Sequence, residues 1–343
     1  MDKTLLVSSS PHVHCGMNTR DVMRDVIIAL IPALLASVVL FGFRALLVEA
    51  VCVATAVLAE YFSRRVMKRP QTVGDLSAVV TGLLLALNLP STIPLWQAMF
   101  GCVVAIVVAK QMFGGLGQNF VNPALVGRVV LIGSFPEEMN KWDLPFEWID
   151  RLFNLFHWTL PESWRNFVPV VVDGKSYATP LSDGVEFPSI LELLFGVRGG
   201  SLGETCVIAL LLGGLYLVIR RVISPMIPVV YIGTVFVLTL LLGNVGSGEA
   251  WSLYTQAPHA LLSGGVMLGA IFMATDYATC PINRTGKLVY ALGCGIITVV
   301  IRLWGSLPEG VSFAIVIMNI LTPLIERVTR PRPFGEKRKA VAK

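Results

Sequence analysis

The stretch GCVVAIVVAKQMFGGLGQNFVNPALVGRV, residues 101–129, decides the fold. It opens as an apolar run, breaks into glycine and asparagine over residues 114–122, and resumes as a short apolar run from Pro123. A transmembrane helix needs about 20 mostly apolar residues to cross about 30 Å of hydrocarbon. The run after the break is shorter than that. It suits a broken or re-entrant helix lining a cavity, because irregular backbone facing lipid would leave its N–H and C=O groups without partners.

The surrounding chain agrees. Of its 343 residues, 55% are hydrophobic and 14% charged, and the mean hydropathy is +0.72. A soluble domain carries roughly a quarter charged residues, so this chain lacks the polar surface that water requires. It reads as an all-α polytopic membrane protein, which excludes the two soluble domains its length would suggest. The net charge of +5 points to no nucleic-acid partner. Residues 1–25 are polar and show no cleavable signal peptide. About ten spans are predicted, near 25–43, 45–62, 76–92, 94–112, 122–135, 201–219, 226–243, 258–275, 287–304 and 311–327.

Basic residues orient them. SRRVMKRP (63–70), Arg220-Arg221, NRTGK (283–287) and RVTRPRPFGEKRK (327–339) all fall on one side if both termini are cytoplasmic. The expected organisation is a cytoplasmic arm (1–24), a five-helix unit (25–135), an extracytoplasmic insert (136–200), a second five-helix unit (201–330) and a basic cytoplasmic tail (331–343). The units resemble each other. Residues 101–115 align with GCGIITVVIRLWGS (293–306), NPALVGRV (122–129) with TPLIERV (322–328), and VVTGLLLALNLP (79–90) with GVMLGAIFMATD (265–276). Five spans per unit make the repeats inverted in the bilayer, as in transport folds that bind near the midplane.

In such folds the site lies where helices are interrupted. Those places are GQNFVNP (117–123) and TDYATCPIN (275–283). Asn119, Asn122, Thr275 and Asp276, with freed backbone carbonyls, can bind a polar planar ligand or a cation. Equally, Asn and Asp can do no more than cap helices there. Lys110 and Arg302 occupy matched span ends and are expected to snorkel to the interface. Glu49, Glu60, Arg128, Glu204 and Asp276 also lie near span ends, so no line of buried carboxylates is expected. The six cysteines form no C-x-x-C pair and read as small buried hydrophobes. His12, His14 and Cys15 have no fourth ligand and are read as contacting partners rather than metal. The aromatic stretch 141–164 is expected to lie on the outer membrane surface.

Within the insert, DGKSYATP (173–180) places Asp173, Ser176, Ala178 and Thr179 as D-x-x-S-x-A-T. This resembles the flavinylation signature D-x-x-[S/T]-G-A-[S/T], with Tyr177 where the pattern has glycine. The whole chain resembles the D subunit of the Rnf complex and is similar to the B subunit of the sodium-pumping NADH:quinone reductase. The likeness covers residues 10–330 and includes SSSPHVHCGMNT, GGLGQNFVNPALVGR, ATDYATCPINRTGK and NILTPLIERVTRPRPFG. It implies a subunit of a bacterial inner-membrane complex that passes electrons between ferredoxin and NAD and moves Na⁺ or H⁺. It further implies FMN esterified to Thr179 by a flavin transferase, and a second flavin, riboflavin, held without a covalent bond at Asn119, Asn122, Thr275 and Asp276. The implied partners are the other Rnf subunits (A, B, C, E and G) and membrane lipid. The competing reading is a cofactor-free inverted-repeat channel or secondary transporter. An insert of about 65 residues rich in aromatic and hydroxyl groups favours the flavoprotein.

Overall fold

The structure is a computed structural model that describes residues 18–146, 148–149, 190–242, 253–305 and 310–330. Thr179, the His12–Cys15 run and the tail 331–343 lie outside the described residues. All regular structure among the described residues is helical.

The chain enters α1 (Thr19–Phe41) through Asn18, whose N–H donates to the Asp21 carboxylate at 3.2 Å. That carboxylate also sits favourably against the positive end of the helix dipole. Gly42, at φ +72°, turns the chain into α2 (Phe43–Val66). A Cβ there would lie 2.4 Å from Trp148 Cγ, so glycine meets both the left-handed conformation and the crowding. The Trp148 indole donates to the Val39 carbonyl at 3.2 Å. Trp142 and Leu144 are buried, and Asp143 accepts from Ser91. The described start of the aromatic stretch thus packs on protein, where the sequence suggested the membrane surface. Its remainder, 150–164, lies outside the described residues.

On α2 the usual soluble pattern is inverted. Glu49, Cys52, Ala56, Glu60 and Ser63 recur at helical spacing and are buried, while Leu46, Leu58, Phe62 and Val66 are exposed. Small and polar groups therefore face protein and large apolar ones face outward, as lipid requires. With α12 (Arg284–Trp304) and α13 (Val311–Val328), α1 and α2 are the four described helices long and apolar enough to cross a membrane.

The other apolar helices are shorter: α3 (Ser77–Leu87), α4 (Leu95–Val103, continued as π-helix through Val104–Gln111), α5 (Pro123–Ser134), α8 (Val207–Ile219) and α9 (Met226–Leu242). Between α5 and α8 the described residues form two brief helices, α6 (Pro136–Met139) and α7 (Ile190–Phe195). At 1.5 Å per residue, α3 and α5 reach only about 17–18 Å, about half the hydrocarbon thickness. The predicted span 258–275 is broken into α10 (Leu253–Leu262) and α11 (Val266–Leu268, continued as π-helix through Gly269–Met273), with Gly264 at φ +67° between them. The predicted span 201–219 is helical only from Val207. Residues 198–205 form a buried loop whose Leu202 and Gly203 N–H groups donate to the Leu89 and Leu87 carbonyls. This loop fills the depth that α3 leaves.

Packing follows one order twice. In the first half α2 packs on α3 and α4, and α4 with its π continuation packs on α5. In the second, α9 packs on α10 and α12, and α12 packs on α13. Across the halves, α1 packs on α8 and α5 on α13. One difference follows from the alignment of 122–129 with 322–328: Pro123 opens α5, whereas Pro323 sits inside α13. Together these elements form a multi-pass helical membrane protein.

Candidate functional site

A cavity of about 740 Å³, counting its mouth, opens where the interrupted elements meet. Its walls come from α1 (Val22, Met23, Val26), α3 (Ser77, Val80, Thr81, Leu84), the chain after α8 (Val222, Ile223) and the π end of α11 (Phe272). Asn119, Asn122, Thr275 and Asp276 all line it, so the two sequence breaks do converge on one space.

The four residues are not equivalent. Asn122 caps α5, its Oδ1 accepting from the Ala124 N–H at 3.1 Å, while its Nδ2 donates to the Met273 carbonyl at 3.2 Å. It is a clamp between the halves, and the capping interpretation describes it well. Asn119 donates to the Val121 carbonyl at 3.2 Å, but its Oδ1 has no partner although the residue is only 5% exposed. A buried acceptor without a donor is worth about 1–3 kcal/mol to any ligand that supplies one. Thr275 donates to the Ile271 carbonyl at 2.7 Å, leaving its oxygen able to accept. Asp276 closes the turn after α11, accepting weakly from the Ala278 N–H and the Thr279 hydroxyl, both at 3.4 Å. Desolvation pushes its carboxyl above the usual range, opposed by those two donors and by the nearby Lys110 charge.

Lys110 was missed as a site residue. It does not snorkel: it is 2% exposed and lines the cavity. Its ammonium donates to Glu60 Oε2 at 2.8 Å and to Ser77 Oγ at 2.6 Å. The Ser77 hydroxyl in turn donates to Asp75 at 2.5 Å, and Glu60 Oε1 accepts from Thr72 at 2.6 Å. Arg302, at the matched position, is half-buried and donates to the Ala260 and Ser263 carbonyls. Opposite charges on α2 and on the π continuation of α4, each near the end of its apolar run, were the available signal for Lys110.

At the other end of α3 stands a second buried pair. Arg128 of α5 donates to Glu204 at 2.8 Å and closely to Asn88 Oδ1, and Arg198 donates to the Glu204 carbonyl at 2.9 Å. Glu49, Glu60, Glu204 and Asp25 are all buried, at separate places along the fold. Each has a partner: Ser37 for Glu49, Lys110 for Glu60, Arg128 for Glu204, and Tyr216 with Arg220 for Asp25. Among the described residues, no group of three or more His, Cys, Asp or Glu side chains is placed to hold a metal.

The family model for the NQR2, RnfD, RnfE family matches residues 6–335. This chain belongs to that family. It is 43% identical over 339 residues to the D subunit of the Na⁺-translocating ferredoxin:NAD⁺ oxidoreductase complex of Acetobacterium woodii, covering 96% of this chain and 95% of that one. It is 39% identical to the proton-translocating counterpart of Clostridium ljungdahlii, covering 97% and 96%. It is 36% identical to the D subunit of the ion-translocating oxidoreductase complex of Aliivibrio salmonicida, covering 97% and 99%. The cavity and both buried charge pairs therefore belong to an NQR2, RnfD, RnfE member that its relatives match nearly end to end.

Proposed function

We propose that this chain is the membrane flavoprotein subunit of an ion-translocating ferredoxin:NAD⁺ oxidoreductase (Rnf) complex, coupling electron transfer to Na⁺ or H⁺ movement and not catalytic by itself. It carries FMN as a phosphoester on Thr179 and riboflavin, without a covalent bond, in the cavity. Its partners are the A, B, C, E and G subunits of Rnf, with a flavin transferase for maturation. It lies in the inner membrane as two inverted five-helix repeats, both termini cytoplasmic and residues 136–200 outside. The twice-repeated packing order supports the repeats. The activities for which the relatives are named support the complex.

The observation that carries the flavin assignment is the buried, partnerless Asn119 Oδ1 in a cavity with apolar walls and an ammonium. A flavin ring offers flat apolar faces with an imide edge that both donates and accepts, and its ribityl chain offers hydroxyls. Val80, Leu84 and Phe272 suit the faces; Asn119, Thr275 and Asp276 suit the polar edge. A bound flavin supplies the electron exchange, while the protein holds, orients and tunes it.

The test is the full chain expressed with a flavin transferase. A denaturing gel should show a fluorescent band that Thr179→Ala abolishes, and acid extraction should release a second flavin that Thr179→Ala leaves in place. A dark band with an unchanged mass removes the covalent flavin. An extract without flavin leaves the cofactor-free transporter. Orientation is tested by Ser176→Cys, which an impermeant thiol reagent should label from outside the cell; labelling only after lysis inverts the topology.

A further inference from the structure

Lys110 is placed to do more than balance Glu60. An ammonium has three N–H donors. Two are committed, to Glu60 Oε2 and Ser77 Oγ, and the side chain lines the cavity, so the third is the one left for an occupant. The other two bonds fix its direction. Glu60 is fully buried and is itself held by Thr72, while Ser77 is held by Asp75 and stands at the first turn of α3. Glu60 cannot swing away without stranding the buried Lys110 charge, and Ser77 is tied in place by its own bond to Asp75. The cavity thus presents one fixed donor at Lys110 and one vacant acceptor at Asn119 Oδ1.

We infer that Lys110 is a positioning and potential-tuning residue, whose free N–H binds a ring carbonyl or nitrogen of the cavity flavin and whose charge is held in check by Glu60. The inference rests on the flavin reading above. When the ring takes up two electrons and one proton it gains one negative charge, spread over the acceptor atoms of its imide side. A donor fixed at those atoms binds the reduced ring more tightly than the oxidised one and so raises its potential. Glu60 opposes part of that effect because its carboxylate lies 2.8 Å from the same ammonium.

This arrangement predicts shifts of opposite sign, which a merely structural pair would not give. The experiment uses the full chain in the Thr179→Ala background, so that the extractable flavin alone reports, titrated reductively against a dye of known potential. Lys110→Met with Glu60→Gln removes both charges together. It should lower the ratio of reduced-state to oxidised-state affinity by about tenfold, a fall of about 30 mV for a two-electron couple. Glu60→Gln alone keeps the donor and removes its counter-charge, and should raise the potential instead. Movement of both variants in the same direction, or an unmoved potential in flavin-loaded protein, overturns the inference and leaves the flavin assignment standing. Should the double variant fail to accumulate, Glu60→Gln decides alone, and a potential unmoved or lowered overturns the role. Absence of extractable flavin from the otherwise unsubstituted chain overturns the flavin reading itself.

Discussion

Replacing Gly213 with alanine should separate α1 from α8 and loosen the cavity between them. A Cβ at Gly213 would stand 2.1 Å from the Ala29 carbonyl oxygen and 3.0 Å from Phe272 Cζ. Carbon and a carbonyl oxygen approach comfortably to about 3.3 Å, so the helices must part by about 1.2 Å along that line. The obstacle is backbone, and no rotamer change can relieve it. A gap of 0.5–1 Å already forfeits about a quarter to a half of each dispersion contact it opens, and overpacking of this kind destabilises by about 1–3 kcal/mol. With a backbone atom in the way, the upper end applies, on the order of a hundredfold in the folding equilibrium. The displaced helices carry Val22, Met23 and Val26 on one side and Leu217 on the other, all cavity walls, so extractable flavin should fall as well.

The assay is the thermal midpoint of the purified chain in detergent, with flavin extracted from the same samples. Gly233→Ala in α9 is the control, because no atom lies within 4 Å of its would-be Cβ. That change should be neutral or stabilise by up to about 1 kcal/mol through helix propensity. If Gly213→Ala melts no lower than Gly233→Ala, the close approach of α1 and α8 is wrong and the cavity walls are misplaced with it.

Two further substitutions separate binding from folding. Asn119→Ala should reduce flavin retention about tenfold, the equivalent of one lost hydrogen bond of about 1.4 kcal/mol, with little change in thermal midpoint. Asn122→Ala removes a helix cap worth about 1 kcal/mol and the Met273 clamp, so it should lower the midpoint before flavin is lost. Reversal of that order would reassign the two residues. Glu204→Ala takes the buried counter-charge from Arg128 and should destabilise by about 3–5 kcal/mol, whereas pairing it with Arg128→Met should restore much of the loss. Equal midpoints for the single and double variants would show that the pair does not act as a unit.

Much of this was legible in the sequence because glycine, asparagine and proline punctuate apolar runs. The breaks at 117–123 and 275–283 were visible for that reason, and so was their convergence. Lys110 was not, because position along a span says nothing about which way a side chain turns. After Val103 the helix closes i→i+5 bonds, as in Met112 N–H to the Val107 carbonyl, so a register counted at 3.6 residues per turn does not hold there. Glu60 was more accessible to reasoning. It lies eleven residues after Glu49, about three turns, on one face with Cys52 and Ala56. A stripe of small and acidic residues on an otherwise apolar helix marks the side turned from lipid. The buried loop 198–205 was hidden for a different reason: its glycines and Leu202 lead straight into the apolar run from Val207 and part of it read as the start of a span, and its packing on α3 reveals otherwise.

The breaks and the buried charges are two faces of one constraint. A helix of eleven residues cannot bring both its ends to the membrane surface, so the polar groups at those ends must be satisfied inside the protein. At α3 the N-terminal end finds Lys110 with Glu60 through Ser77, and the C-terminal end finds Arg128 with Glu204 through Asn88. Each end thus carries an ion pair because a neutral cap alone would leave an unsolvated gap. Among the described residues, Lys110 lines the cavity and Arg128 does not, so it is the Lys110 end that sets a charged donor beside space a ligand can enter. The same short helix that makes the scaffold need buried charge also puts one of those charges within reach of a ligand.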